Sequence, residues 1–410
     1  MSGNNVMKTQ NKTAQYTVVV AGITVTQADP KGLESLSVED HSDMIGISEL
    51  TFASGLGMDW SGIQMGDEVS VSLGNSDYKV FVGVVTGLRH GFQHGRDTLT
   101  IIAMDPLSKL AASRQVDANF DDMTDSDVVS KVIQAAGAEV GQVDATTEKR
   151  KYQFQRNESA LAIVRRLAAR NGYIVRANEG KIDVCKPQMS DPPVEVKRDD
   201  LMSLDYTYSP RALPKKLTVY GWDRTKKQRI EGSATKDDIE LVGGGTPSVD
   251  DSPIWQGEAS YISDVEVSTQ EGAKAIAVAE LNRMAMSFLR GKAVVQGNGA
   301  LHFGARIKFT EHQSGFNPEG VVMSSRHRVF MGSGFTTELV FNSNTYPNSG
   351  ASGGASASQA AASTPLATSP GGVGSSSPLG SVGDAIDQAR SAVGAAATQV
   401  REAVGQVAQV

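Results

Sequence analysis

The 410-residue sequence predicts a mainly β, α+β fold: two small antiparallel β-barrel domains, an inserted α+β module, a flexible linker and a C-terminal helix. Three observations predict it. Short segments of alternating apolar residues, separated by turn residues, fill residues 15–110 and return over 200–345. Between them, over 111–199, the apolar spacing changes to the helical one. After Tyr346 the composition collapses to Ser, Gly, Ala and Pro up to about residue 380, and a seven-residue period follows.

In the first region, residues 1–14 are polar and read as a flexible arm. Tyr16, Val18 and Val20 alternate up to an Ala21-Gly22 turn, and Ile23 and Val25 resume the pattern. Leu36 and Val38, then Ile45 and Ile47, then Leu50 and Phe52 continue it. Val69, Val71 and Leu73 lead into a Gly74-Asn75 turn. Residues 78–85 read as a longer strand and 99–104 as another, with LRHGFQHGRD between them as a hairpin turn.

In the middle region, Thr124 or Ser126 caps a helix with Val128, Val129, Val132, Ile133 and Ala136 on one face, stopped at Gly137. The stretch YQFQRNESALAIVRRLAARNGYIVRANEGKIDV then reads strand, helix, strand. Asn157 is the expected N-cap, with Glu158 in the first turn, where the helix dipole favours an anion. Ala160, Leu161, Val164, Leu167 and Ala168 form the apolar stripe, with Arg165, Arg166 and Arg170 lying mostly off it. Asn171-Gly172 ends the helix. Tyr173 and Val175, then Ile182 and Val184, read as strands around an Asn178-Glu179-Gly180 turn. Neither GxGxxG nor GxxxxGK[ST] occurs here, so the unit reads as a helix covering a sheet.

In the second β region, Leu204, Tyr206 and Tyr208 alternate, as do Leu217 and Val219 before Gly221-Trp222. Residues 243–253 read as a flexible loop. Ser268 and Glu271 form a capping box that starts a long helix over 268–290, with Ala273, Ile276, Ala277, Leu281, Met284 and Phe288 inward. In the tail, Leu379, Ile386, Val393, Val400 and Val407 fall seven apart, with Val382, Ala389, Ala396, Ala403 and Val410 between them. Gly383, Gly394 and Gly405 weaken that helix by about 1 kcal/mol each relative to Ala. Oligomer or docking contacts are expected at Leu379, Val382, Ile386, Val393, Val400 and Val407, on a coiled coil or on an amphipathic helix folded only when docked.

Chemistry is hard to find. The net charge of -7 and pI of about 5.5 argue against a broad nucleic-acid surface. The single cysteine, Cys185, rules out an intrachain disulfide framework and reads as a small buried hydrophobe. No secretory h-region and no membrane-length apolar run occur, so synthesis in a bacterial cytoplasm is expected. His90 and His94 are four apart but sit in a glycine-broken turn, and His41, His302, His312 and His327 are scattered singly. Asp121, Asp122, Asp125 and Asp127 lack calcium-loop spacing and precede a helix. The pairs Asp199-Asp200, Asp237-Asp238 and Asp250-Asp251 have nothing that ties them to a cleft. GxSxG is absent, and Cys185 has no evident base. No catalytic, cofactor or metal residue is therefore assigned, no cofactor is expected, and the chain reads as a structural part and not an enzyme.

Three blocks carry a family likeness: residues 49–110; MTDSDVVSKVIQAAG with the αβ stretch quoted above; and LHFGARIKFTEHQSGFNPEGVVMSSRHRVFMGSGFTTELVFN. In this order they resemble the late control protein D family, the baseplate hub proteins of contractile phage tails, related to the hub part of VgrG spikes. The likeness spans roughly residues 15–345. Phe303-Gly304 stands where the family often has Pro-Gly, and no spike module or β-helix repeat follows the hub. The resemblance implies two similar barrels per chain and a homotrimer whose six barrels adapt a sixfold tail tube to a threefold spike. It implies partners: further copies of the chain, a separate spike protein and the tail tube, with a tape measure, baseplate wedge or cargo as further candidates. It places the protein in a virion tail or injection particle. Two alternatives are a hub-like chain with cell-wall hydrolase activity and a carbohydrate-binding β protein. The latter needs exposed aromatics, and only Trp60, Trp222 and Trp255 are tryptophans.

Overall fold

The computed structural model describes residues 15–42, 44–57, 59–74, 78–93, 95–114, 119–150, 157–189, 191–209, 213–223, 226–244, 259–263, 267, 269–310, 316–331, 334–346 and 348–349. The N-terminal arm, His94, Trp255, His312, the residue 152–156 strand, most of the linker and the whole heptad tail lie outside the described residues.

Seven strands form the first region: β1 (Tyr16–Val20), β2 (Ile23–Thr26), β3 (Leu33–His41), β4 (Ile47–Ala53), β5 (Glu68–Leu73), β6 (Lys79–Gln93) and β7 (Arg96–Met104). The middle module follows with α1 (Leu107–Ala112), β8 (Met123–Thr124), α2 (Asp125–Ala135), β9 (Glu139–Val143), β10 (Lys149–Arg150), α3 (Ala160–Arg170), β11 (Ile174–Asn178) and β12 (Lys181–Cys185). The second region comprises β13 (Val194–Lys197), β14 (Leu201–Tyr208), β15 (Lys216–Asp223), β16 (Gln228–Thr235), β17 (Ser260–Ile262), α4 (Gln270–Ala285), β18 (Leu289–Gln296), β19 (Arg306–Thr310), β20 (Phe316–Asn317), β21 (Glu319–Phe330), β22 (Gly334–Ser343) and β23 (Asn348–Ser349).

The chain is mainly β with helices attached, as expected, but its strands are not divided between two separately closed barrels. Strands of both regions join one strongly curled sheet in the order β14-β18-β22-β21-β3-β4-β7-β6-β5-β1-β2, fused by the antiparallel pair β21–β3. β13, in the stretch assigned to the middle module, pairs with β19 and so belongs to the second region. Three buried cores persist. Val18, Leu36, Phe52 and Ile101 centre the first; Val128, Val164 and Val184 the middle; Val219, Leu281, Phe309 and Phe341 the last. Each fully buried Val, Leu or Phe contributes roughly 1.5–3 kcal/mol.

Several helix boundaries shift for local reasons. Thr124 caps α2, its hydroxyl accepting from Asp127 N at 3.2 Å. Ser159, not Asn157, caps α3 by accepting from Ala162 N at 3.2 Å, while Asn157 takes a left-handed turn at φ 49°. Thr269 caps α4 one residue after the predicted Ser268, which lies outside the described residues. α4 ends at Ala285 and not near 290, because Leu289 already begins β18, whose inward residues pack in the sheet. The strand predicted to stop at Val85 runs on to Gln93, so the hairpin turn lies beyond Phe92. The Glu179-Gly180 turn has φ of 47° and 86°, the left-handed pair that a two-residue hairpin needs.

Asp125 does more than answer the helix dipole. It is buried, receives Arg170 Nε at 3.0 Å and Asn171 Nδ2 at 2.8 Å, and so pins α2 to the end of α3. Glu148 of the middle module accepts from Thr269 Oγ1 at 2.9 Å at the start of α4, seating that helix against a second module. α4 covers the β15–β16 sheet at close range: a Cβ on Gly232 would collide with Lys274 N and Ala273. Gly232→Ala is expected to destabilise the chain by about 1–3 kcal/mol, read from urea unfolding. An unchanged midpoint would show that α4 can lift off the sheet without cost.

Candidate assembly surface

The large sheet contains the same four-stranded unit twice. Within each unit the strands lie in the order first, second, fourth, third: β3-β4-β7-β6 and β14-β18-β22-β21. Register matches as well as order. The third and fourth strands shift register between Val85↔Ala103 and Gly87↔Ile102 in one unit, and between Val322↔Phe341 and Ser324↔Val340 in the other. The first and second shift between Leu33↔Phe52 and Ser35↔Thr51, and between Leu201↔Val295 and Ser203↔Val294. Such bulges re-aim strands and fix register.

The two third strands also hand over their neighbours at the same place. Val85 exchanges backbone hydrogen bonds with Gly66 and Asp67, both at 2.8 Å; Val322 does so with Gly304 and Ala305, both at 2.9 Å. Gly66 and Gly304 have φ of 92° and 84°, a conformation that favours glycine. Phe303-Gly304 thus makes this turn without the Pro-Gly that the family often has there. Beyond the bulge, the outer edge of β21 pairs with β3, from Ser324↔His41 to Phe330↔Ser35. Beyond its own bulge, β6 pairs only with β7 among the described strands. β14, the first strand of the second unit, likewise pairs only with β18.

The β21–β3 seam is where the polar chemistry gathers. Ser325, His327 and Val329 are buried opposite Leu36 and Val38, while Arg326 and Glu39 form an ion pair on the other face. Burial holds the His327 imidazole neutral, with its pKa pushed down to about 3; Nδ1 meets Thr337 Oγ1 at 3.0 Å. Burial lifts Asp40 to about 6, against the Phe303 amide that donates to it at 3.2 Å and the nearby Arg176 of the middle module. Burial also lifts Asp105 to about 7, although its carboxylate accepts from Gly46 N at 2.7 Å and Leu107 N at 2.9 Å. His302, lowered by burial, lies 5.0 Å from the Tyr78 ring, whose hydroxyl burial pushes up to about 12. Three modules therefore meet through carboxylates, imidazoles and Arg176.

This cluster joins modules. A shallow depression beside it is lined by Gln142, Asn178, Glu179, Lys181 and Asp183. Of its two carboxylates, Glu179 and Asp183, the buried Asp183 is already engaged by Gln142 N, Asn178 Nδ2 and Arg176. Among the described residues no group of three or more His, Cys, Asp or Glu could hold a metal ion, and no helix is long and apolar enough to cross a membrane. His90 stands exposed on the β6 edge. Cys185 is buried, which raises its thiol pKa. Trp222 and Tyr261 are exposed on the small β16-β15-β17 sheet, where Tyr261 stacks on Tyr220 at 5.7 Å. The predicted contacts Leu379, Val382, Ile386, Val393, Val400 and Val407 all fall outside the described residues. Sequence reading set His302 and His327 aside as scattered and did not single out Asp40, because a lone polar residue carries no signal of a distant partner. It noticed Leu204, Tyr206 and Tyr208, but not that they line an open edge.

A family model for the Alg8 N-terminal domain matches residues 12–330. The chain belongs to the Alg8 N-terminal domain family. No curated protein matches it in sequence. In this member of the family, the fold is shared with phage tail proteins of known structure. A tail protein from Neisseria meningitidis MC58 is 15% identical with a TM-score of 0.60, over 81% of this chain and 97% of that one. A 43 kDa tail protein of prophage MuSo2 from Shewanella oneidensis is 16% identical with a TM-score of 0.58, over 80% and 98%. An Escherichia coli type VI secretion component, described as similar to bacteriophage T4 tail proteins, is 13% identical with a TM-score of 0.54, over 81% and 78%. The fold is therefore the one these phage tail proteins have.

The buried carboxylates and imidazoles set opposite pH dependences. Asp40 and Asp105 bind protons more tightly folded than unfolded, so their contribution is complete below 3.8 and is lost as pH rises through 6 and 7. His302 and His327 contribute above 6.5 and lose that contribution as pH falls, toward about 3 for His327. Relative to wild type, Asp105→Asn is expected to gain on the order of 2 kcal/mol as pH rises from about 5 to about 8. Parallel stability curves for the two chains would remove Asp105 from this linkage.

Proposed function

We propose that the chain is a structural baseplate hub of a contractile injection device, a phage tail or related particle. Three copies form a ring in which each four-stranded unit and its flanking strands serve as one of two similar barrels. Six such units then present near-sixfold symmetry to a tail tube and threefold symmetry to a separate spike protein. The observation that carries this reading is the duplicated unit: one chain offers two equivalent positions, so a trimer can match a hexamer. The shared fold with phage tail proteins supports it.

On this reading the middle module, near 111–199, is scaffold between barrels near 15–110 and 200–345. The segment 346–380 is a linker, and 381–410 is a helix that supports trimerisation or docks on a neighbour or cargo through Leu379, Val382, Ile386, Val393, Val400 and Val407. A tape measure and baseplate wedge are further partners in the assembled tail or particle. The protein acts as a part and catalyses nothing.

Light scattering of the full chain and of a version ending at Ser352 tests the ring. A trimer in both places assembly in the described β regions, and negative-stain images should show a ring with six lobes. A trimer only in the full chain would make the tail the organiser. Monomers in both, with no ring after mixing with tube or spike proteins, would overturn the hub reading.

A further inference from the structure

Two strand edges of the duplicated unit stay open among the described residues, and the repeat says what each is missing. Inside one chain, the third strand of the second unit, β21, pairs beyond its bulge with the first strand of the first unit, β3. The corresponding edge of β6, residues 86–93, has no such partner, and the corresponding first strand, β14, has an unused outer edge. An open edge of unpaired amides and carbonyls is a template for another strand. We infer that β6 of one copy pairs antiparallel with β14 of the next, repeating between chains the seam that β21 and β3 make within one; this rests on the ring reading above.

The matched bulges fix the register. Counting from them, Gly87 occupies the place of Ser324, and Ser203 that of Ser35. The intrachain pairs Ser324↔His41 through Phe330↔Ser35 then translate into Gly87↔Ser209, Leu88↔Tyr208, Arg89↔Thr207, His90↔Tyr206, Gly91↔Asp205, Phe92↔Leu204 and Gln93↔Ser203.

Side-chain chemistry agrees with this register. At the intrachain seam Ser325, His327 and Val329 are buried on β21, and Leu36 and Val38 on β3. Their counterparts are Leu88, His90 and Phe92 on β6, and Leu204 and Tyr206 on β14, followed by Tyr208. Phe92 is 71% exposed although its counterpart in the repeat, Val329, is buried, and Tyr208 beside the edge is 45% exposed. The proposed pairing sets Phe92 against Leu204 and Leu88 against Tyr208, apolar on apolar. Arg89, Thr207 and Asp205 fall on the opposite, polar face. Because the two edges differ, the contact is heterologous and closes only as a ring. A one-residue slip would turn Phe92 to the polar face, so the register is strongly specified.

Cysteine pairs in the full-length chain test it. Residues directly opposite in an antiparallel pair lie about 4.5–5.5 Å apart at Cα, within disulfide reach. The double variant Arg89→Cys/Thr207→Cys should oxidise to a ladder of linked dimer and trimer on a non-reducing gel. Arg89→Cys/Ser203→Cys, displaced by about 13 Å along the strand, should link at least tenfold less. Wild type, whose one cysteine is buried, should stay unlinked. Hydrogen exchange on wild type guards against a variant that fails to fold: amides in 87–93 and 203–208 should be protected in the trimer. A trimer by light scattering with no registered link, or with equal linking in both variants, would overturn the pairing and leave the ring reading standing. A chain that neither assembles nor links would overturn both.

Discussion

The backbone pairing of β21 with β3 is the constraint on which the rest depends. It joins the first and second regions, far apart in sequence, into one sheet. Without it the two four-stranded units would be independent hairpin sets with four open edges. With it, Ser325 and His327 are buried at the junction, where Asp40 meets the Phe303 amide and His327 meets Thr337, while the partly exposed Arg326 pairs with Glu39 on the other face. A backbone seam is costly to break because each buried amide would lose its partner.

The middle module answers a geometric need that the seam creates. A long curled sheet leaves loops at its rim whose polar groups need partners. Asp105 ties the end of β7 to Gly46 and to the start of α1, and Arg176 reaches the Asp40 side of the junction. Gly180 sits against Val82, and Gly172 against Ala279 of α4. Glu148 engages the Thr269 cap. The αβ unit is thus a clamp that touches both β regions. Its described elements, α3, β11 and β12, are accounted for by packing.

Duplication inside a chain gives assembly a particular economy of design. A seam stable enough to hold within one chain is a tested geometry for a seam between chains. Of the equivalent positions, His327 is matched by His90 and Val329 by Phe92, and only the buried Ser325 is replaced by an apolar residue, Leu88.

Much of the fold was legible in the sequence. Alternation at Val18, Val69 and Leu217, helical stripes at Val128–Ile133 and Leu161–Leu167, and turns at Gly22, Gly137 and Gly180 all rest on local rules of period and backbone freedom. Those rules act over a few residues, so the chain itself states them. It could not state that β6 runs through Gly91 to Gln93, because β7 alongside supplies the hydrogen bonds. Nor could it show that Asp125 is buried against Arg170, or that Asp40, His302 and His327 meet at one seam. The continuous sheet and the repeated register emerged only in three dimensions. Strand pairing is chosen by the best global burial of apolar faces, and that choice is made between residues hundreds of positions apart.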